Sequence, residues 1–293
     1  MCDWLPQCLQ LNLRLYIRKA LCFFPFIISA VRMATLLGKR TEREGEEEIP
    51  SGKRLCEHLD FQPEEIRSFP CKPRTFNGTW LESGPELVSG SSHRKFCLDE
   101  ENYIFVDRNL YDREDLDWYL KKAARVERIS GKSAFGRNKP RKEISYTANG
   151  RANVYSGVAH KTTEIPYHVK LLSEKMRFSL CYQTYEEANL WKADNCNDIV
   201  YGPEFECGGS IGRHADDENP NWCAIGIYSL GQERVLRIRS NETGKFWNIR
   251  LVHNSVVWMI GPTFQKKYTH EVPKLKPGEP VHTRLSLNIR YVK

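Results

Sequence analysis

Beyond Cys196 the chain breaks into six short runs rich in β-branched and aromatic residues, IVYG, WCAIGIYSL, RVLRIRS, FWNIRLV, SVVWMIG and TRLSLNIRYV, each bounded by turn-forming residues. Runs of this length at this spacing predict strands arranged as a sandwich or jelly roll. The segment upstream reads differently. YIFV at 103–106 is a short strand candidate, and DREDLDWYLKKAARVERI places Leu116, Leu120, Ala123 and Val126 at helical spacing. Its acidic residues lead and its basic ones follow, as the helix dipole favours. A second helix is expected over Ile165 to Glu174, with Val169 and Leu172 on one side. The expected fold class is therefore mainly β with flanking helices.

The first hundred residues carry no such pattern. GKRTEREGEEEIPSGKR, from Gly38 to Arg54, is almost wholly charged or turn-forming and cannot bury enough apolar surface to offset the entropy of ordering. Its two Lys-Arg pairs resemble a bipartite nuclear-import signal, but solvated charge is the simpler reading. The apolar run from Leu21 to Val31 is interrupted by Pro25 and is too short to span a bilayer. Met33 opens a conventional soluble sequence, so residues 1–32 are expected to be a non-native or alternative upstream extension. The division that follows is an N-terminal extension over 1–98, largely irregular or disordered, a lid with helices over 99–195, and a jelly-roll core over 196–293.

Composition narrows the class of partner. The ten cysteines contain no C-x-x-C pair and no zinc spacing, which suits reduced thiols in an intracellular protein, nuclear or cytoplasmic. With 44 Lys plus Arg against 37 Asp plus Glu, the net charge of +7 leans toward acidic partners such as nucleic acid. No membrane association is expected, and a monomer is.

Chemistry concentrates in GGSIGRHADDE. His214 and Asp216 stand two apart, so on a strand or strand end an imidazole and a carboxylate point to one face. Two histidines and one carboxylate on one face of an octahedron are what a mononuclear iron(II) oxygenase needs, with three positions left for co-substrate and dioxygen. The residues leave three downstream candidates for the second imidazole: His253, His270 and His282. In the last run, Arg284, Ser286, Asn288 and Arg290 share one face, and Leu285, Leu287 and Ile289 the other. Two guanidiniums on an inward stripe are costly to bury without anions, and a dicarboxylate would supply them through bidentate pairing.

These residues resemble the AlkB-like family of nucleic-acid dioxygenases. Ile211 to Glu218 matches the family's I-G-x-H-x-D-D-E stretch, and His270-Glu271-Val272-Pro273 matches its distal-histidine motif. Arg284 and Arg290 match its closing R-x5-R strand, and His253-Asn254-Ser255 with Pro262-Thr263 match the turn before the distal histidine. Pro140-Arg141-Lys142 and, loosely, Val154-Tyr155-Ser156-Gly157 fall where the family's substrate lid lies. The likeness covers roughly residues 100–293 and implies a double-stranded β-helix, or jelly-roll, core.

It also implies roles. His214, Asp216 and His270 would bind Fe(II), and Arg284 would pair with the distal carboxylate of 2-oxoglutarate. Arg290 would lie beside co-substrate and target base, and Ser286, Asn288 and Tyr201 would complete the co-substrate site. Asp217 and Glu218 would face the base. The substrate would be DNA or RNA with alkylated bases, with O2 as the second co-substrate. The chain departs from the family where an Asn-x-Tyr pair is usual, reading Tyr201-Gly-Pro-Glu-Phe205, and where an Asn usually follows the first Arg, reading Ser286.

Blander readings stand beside these. RNKPRKE, from Arg137 to Glu143, reads as a solvated loop, although Arg137, Lys139, Arg141 and Lys142 could contact phosphates with Phe135, Tyr146 and Tyr155 stacking on bases. His253 reads as a turn or core histidine and His282 as the start of a strand. Trp247 and Trp258 read as core, and Trp222 as lining or covering the pocket. Alternative functions are a same-fold oxygenase acting on protein or lipid, a catalytically inactive nucleic-acid-binding module, and a metal-free β-sandwich.

Overall fold

In the computed structural model, which describes residues 59–70, 79–80, 93–132, 136–150, 153–155, 158–160, 162–182 and 186–293, all six β-rich runs become strands of two sheets. In chain order the strands are β1 Thr79–Trp80, β2 His93–Cys97, β3 Tyr103–Arg108, β4 Ile129–Lys132, β5 Asn138–Thr147, β6 Asn153–Tyr155, β7 Val158–His160 and β8 Thr163–Glu164. They continue with β9 Lys192–Tyr201, β10 Ile211–His214, β11 Trp222–Gly231, β12 Arg234–Ser240, β13 Phe246–Leu251, β14 Ser255–Ile260, β15 Tyr268–Val272 and β16 Arg284–Val292. The α-helices are α1 Arg113–Ala123, α2 Tyr167–Tyr182 and the single turn α3 Phe264–Lys267. A small sheet runs β1-β13-β12-β15-β10, and a large one β2-β3-β14-β11-β16-β9-β5-β4, with β8 added to β5. The fold is a jelly roll.

Side-chain alternation explains how the layers assemble. Ile225 and Ile227 of β11, Val257 and Met259 of β14 and Ile104 and Val106 of β3 meet Leu236, Ile238, Ile249, Leu251 and Val272 of the small sheet in one buried cluster. The opposite face of the large sheet packs Phe105, Tyr228, Trp258, Leu285, Leu287 and Ile289 against Tyr119 and Leu120 of α1 and Val169, Leu172 and Met176 of α2. With both faces covered, β14 is buried at every position, and its sequence accordingly shows no polar alternation. At Gly226 a Cβ would lie 2.5 Å from the Met176 side chain, so the glycine lets α2 approach β11. Helix α1 starts where the Asp112 carboxylate accepts from the Asp115 amide at 2.9 Å, satisfying one of the orphan donors of its first turn.

The structure departs from the sequence expectations in three places. Structure begins before residue 99: Phe61 and Ile66 are buried in the helix-side core, and β2 pairs along β3. Of the run 137–143, read as a solvated loop, residues 138–143 lie in β5, which pairs along β9. Polar residues serve there because Lys139 and Arg141 pair with Glu143 along the strand and Lys142 approaches Asp60 and Glu204, a pattern that hydropathy periodicity does not register. Strand β9 begins at Lys192, ahead of the expected start of the core, and α2 runs to Tyr182. The expectations for residues 1–32 and 38–54, and for Phe135, lie outside the described residues.

One buried histidine makes acid stability testable. The His168 ring lies 5.9 Å from the Tyr119 ring, and burial, with Arg128 and Lys122 adding, lowers its pKa to about 4 from the usual value near 6.5. The unfolded chain thus binds this proton first, so the stability that neutral His168 contributes is complete above pH 6.5 and is lost as pH falls toward 4. The loss amounts to at most about 3 kcal/mol. Urea unfolding at pH 7.5 and pH 4.5 is expected to show a gap that narrows by that order in His168→Phe; an unchanged gap would assign the acid sensitivity to other groups.

Candidate metal centre

Strands β10 and β15 lie antiparallel at the edge of the small sheet, and their register sets His214 opposite His270. The two rings are 4.3 Å apart, tilted by 50°. Just past the end of β10, Asp216 turns back toward them, its amide held by the Gln265 side chain at 2.9 Å. Asp216 Oδ1 is 3.5 Å from His214 Nε2, and Oδ2 is 3.9 Å from His270 Nε2. One ligand atom from each residue lies within 4.8 Å of the others. The Asp216 and His270 side chains are 3% and 6% exposed and His214 is 35% exposed, so the cluster opens to solvent on the His214 side.

The protonation states suit a cation. His214 Nδ1 sits 2.8 Å from the Gly212 carbonyl; with Nδ1 as the donor, Nε2 turns its lone pair toward the cluster. Burial, then the neighbouring His214, lowers His270 to about 3, so its ring is neutral at physiological pH. Burial opposes ionisation of Asp216, but the Arg290 guanidinium and the two imidazoles outweigh it and hold the carboxyl well below the usual carboxylate range. Asp216 Oδ1 is buried without a hydrogen-bond partner. Two imidazoles, that of His270 neutral, and a carboxylate with an unused buried oxygen form the donor set of a 2-His-1-carboxylate iron site.

Beside the cluster is a cleft of about 270 Å³, lined by Tyr201, Ser286 and Asn288 of the large sheet and by Ile211, His214 and His270 of the small one. Arg284 is fully buried next to these residues, donating to Ser229 Oγ at 3.0 Å and Ser286 Oγ at 3.1 Å. Its Nε and Nη1 remain without partners, as does the Tyr201 hydroxyl. Burial lowers the Arg284 pKa to about 10, which leaves it a buried cation at neutral pH with donors unspent. An unspent buried guanidinium is costly unless an anion completes it.

The family model of the 2OG-Fe(II) oxygenase superfamily matches residues 113–290, a span that holds this whole cluster. The chain belongs to that superfamily. It is a 2-oxoglutarate-dependent dioxygenase, with Fe(II) as its metal and 2-oxoglutarate and O2 as co-substrates. No curated protein sequence matches it. Among solved structures it is similar to a 2OG-Fe(II) oxygenase family oxidoreductase from Burkholderia pseudomallei, at TM-score 0.45 and 14% identity over 64% of this chain and 85% of that one. It is also similar to OsALKBH1, at TM-score 0.45 and 15% identity over 67% and 99%. A bsmA homolog from Methylobium petroleophilum PM1 follows at TM-score 0.40 and 12% identity over 61% and 82%.

The oxygenase places its other expected site residues unevenly. Arg290 Nη2 pairs with Asp216 Oδ2 at 2.9 Å, and its Nη1 donates to Asn195 Oδ1 at 2.7 Å. Position 290 follows 284 by six residues on one strand face, which carries the second guanidinium along the stripe to the carboxylate end. Lys139 and Arg141 pair with Glu143, and Lys142 lies 3.6 Å from both Asp60 and Glu204. Arg137 is exposed just ahead of β5, and Tyr155 falls in β6, where the side chain is outside the described residues. Asp217 and Glu218 are exposed at the rim, and partial desolvation, with the charge of Asp216 adding, raises Glu218 to about 7. Asn288 Oδ1 accepts from Ser286 Oγ at 3.1 Å.

Neither rival histidine joins the cluster. His253 Nδ1 accepts from the Gly231 amide at 3.0 Å, and His282 stacks on Phe69 at 3.7 Å. Trp222 covers Arg290, with its ring 5.1 Å from the guanidinium and its indole N–H on Asp194 at 2.7 Å. Sequence reasoning missed Gln265, Asn195 and Ser229. Ser229 faces Ser286 across the β11–β16 ladder, and no local pattern marks it.

Proposed function

We propose that His214, Asp216 and His270 hold the iron, that Arg284 receives the distal carboxylate of 2-oxoglutarate, and that this dioxygenase removes a small alkyl group, most simply methyl, from a base in DNA or RNA. The observation that carries the reading is the convergence of two imidazoles and one carboxylate beside a buried guanidinium with unspent donors. The ordered AlkB-like motifs along 211–218, 270–273 and 284–290 support the substrate class.

When bound, iron(II) with 2-oxoglutarate and O2 supplies the oxidising power, one oxygen atom entering the substrate C–H bond and the other going to succinate as CO2 leaves. The chain's residues position and insulate. Ser229 and Ser286 fix the Arg284 fork, which gives the co-substrate a charge-assisted anchor. The Tyr201 hydroxyl offers a further hydrogen bond to an oxyanion. Arg290 locks the Asp216 carboxylate, and the Gly212 carbonyl fixes the His214 ring. Because the cluster opens on the His214 side, a base must be single-stranded or flipped to reach it.

The pairing of Lys139, Arg141 and Lys142 with carboxylates favours a second reading, a same-fold oxygenase acting on protein or lipid, because those cations are already compensated. Aerobic incubation with Fe(II), 2-oxoglutarate and methylated oligonucleotides, followed by mass spectrometry, decides between them. Loss of 14 Da per methyl, about the mass of a CH2 group, is expected, with turnover that falls steeply as salt rises. Succinate production without any change in the oligonucleotides would move the substrate to the second reading.

A further inference from the structure

Arg234, the first residue of β12, is fully buried, and the position of its guanidinium relates it to both ligand-bearing strands. Nη1 donates to the Gly208 carbonyl at 3.0 Å, and Nη2 to the Gly209 carbonyl at 2.8 Å and the Pro273 carbonyl at 2.6 Å. Gly208 and Gly209 form the turn that leads into β10, and Pro273 is the residue that follows β15. One planar cation therefore holds the open end of the strand pair whose register sets His214 opposite His270. The Leu275 amide, donating to the Cys207 carbonyl at 3.1 Å, draws the same two segments together. The turn is tightly specified: Gly209 has φ +74°, and a Cβ there would meet the Pro140 carbonyl oxygen at 2.1 Å. The same guanidinium lies 5.7 Å from the centre of the Tyr201 ring, which Arg284 approaches at 5.0 Å.

The geometry points to Arg234 as a positioning residue for the metal centre: a clamp from β12 that sets the spacing of β10 and β15, and through it the distance between the two imidazoles. This rests on the reading of His214 and His270 as ligands. Each of the three bonds is charge-assisted and so about twice as strong as a neutral one. A guanidinium presents two terminal nitrogens in a fixed plane, whereas a lysine presents one, so lysine can keep the buried charge but cannot reproduce the fork.

Co(II) titration followed by visible absorption tests the clamp without turnover, using the full chain, Arg234→Lys, Asp216→Asn as the metal-deficient reference, and Arg250→Lys as a control. Arg250, on the neighbouring strand β13, pairs with Glu233 and is none of the three proposed metal ligands. Arg234→Lys is expected to bind Co(II) about ten-fold more weakly with a shifted absorption band, and Arg250→Lys to match wild type. A folded Arg234→Lys with wild-type affinity and spectrum overturns the clamp. Wild type and Asp216→Asn behaving alike would instead sink the metal assignment, and the clamp with it. Should Arg234→Lys not fold, amide exchange in the wild-type protein decides: residues 208–214 and 270–275 opening with one common free energy supports the clamp, and independent opening overturns it.

Discussion

Asp216→Asn is expected to abolish iron-dependent succinate formation while leaving the fold intact. The substitution keeps the side chain's shape and most of its hydrogen-bonding capacity toward Arg290, 2.9 Å away, and removes only the charge. Loss of an outer partner of a metal ligand costs about 10- to 100-fold in affinity, and loss of the anionic ligand itself must exceed the upper figure. His270→Ala should behave alike, because no other described histidine stands near enough to replace it: His253 and His282 are committed to Gly231 and Phe69. Alanine at 216 is the poorer probe, since it removes Arg290's hydrogen-bond acceptor at this position as well as the charge. Calorimetric metal titration with circular dichroism reads both properties at once. Wild-type affinity in Asp216→Asn would remove the proposed centre.

The second large effect lies on the helix side. Arg128 Nε and Nη2 hold Asp198 at 2.8 and 2.9 Å, and Nη1 reaches Asp60 at 3.0 Å, all three side chains being buried. Burial alone would drive the Asp198 carboxyl toward its neutral form, and Arg128 opposes this. Arg128→Ala leaves Asp198 buried on β9 without its cation and should cost about 3–5 kcal/mol, a fall in Tm on the order of 10 °C for a domain of this size. The double variant Arg128→Leu with Asp198→Leu should recover most of that loss, because replacing both partners of a buried pair by apolar groups is often near neutral. Thermal melts of the single and double variants measure it. A double variant no more stable than Arg128→Ala would assign the loss to the Asp60 contact and the backbone carbonyls at Ala123 and Val126.

The strands beyond Cys196 were legible because each is a short apolar run between turns, and the polar stripe of β16 because backbone alternation is a local property. The structure keeps that stripe intact: Ser286 and Asn288 line the cleft, Arg284 donates to Ser286 and Arg290 pairs with Asp216, while Leu285, Leu287 and Ile289 join the helix-side core. Strand β5 was illegible by the same criterion. Its charges are stabilised by Glu143, Asp60 and Glu204, partners that hydropathy does not weigh and that lie as far away as the start of the described chain.

The sequence by itself determined that an imidazole and a carboxylate leave one strand end together, and that two guanidiniums ride one face of the last strand. These follow from the two-residue repeat of extended backbone. Only the tertiary structure decided which histidine meets the pair, since that depends on the register of β15 against β10, fixed by sheet closure across more than fifty residues. It also decided that Arg290 pairs with Asp216 and Asn195, and that Arg234 reaches the segments flanking both β10 and β15. Each of these is a contact between segments remote in the chain, set by how two sheets pack rather than by what any one strand prefers.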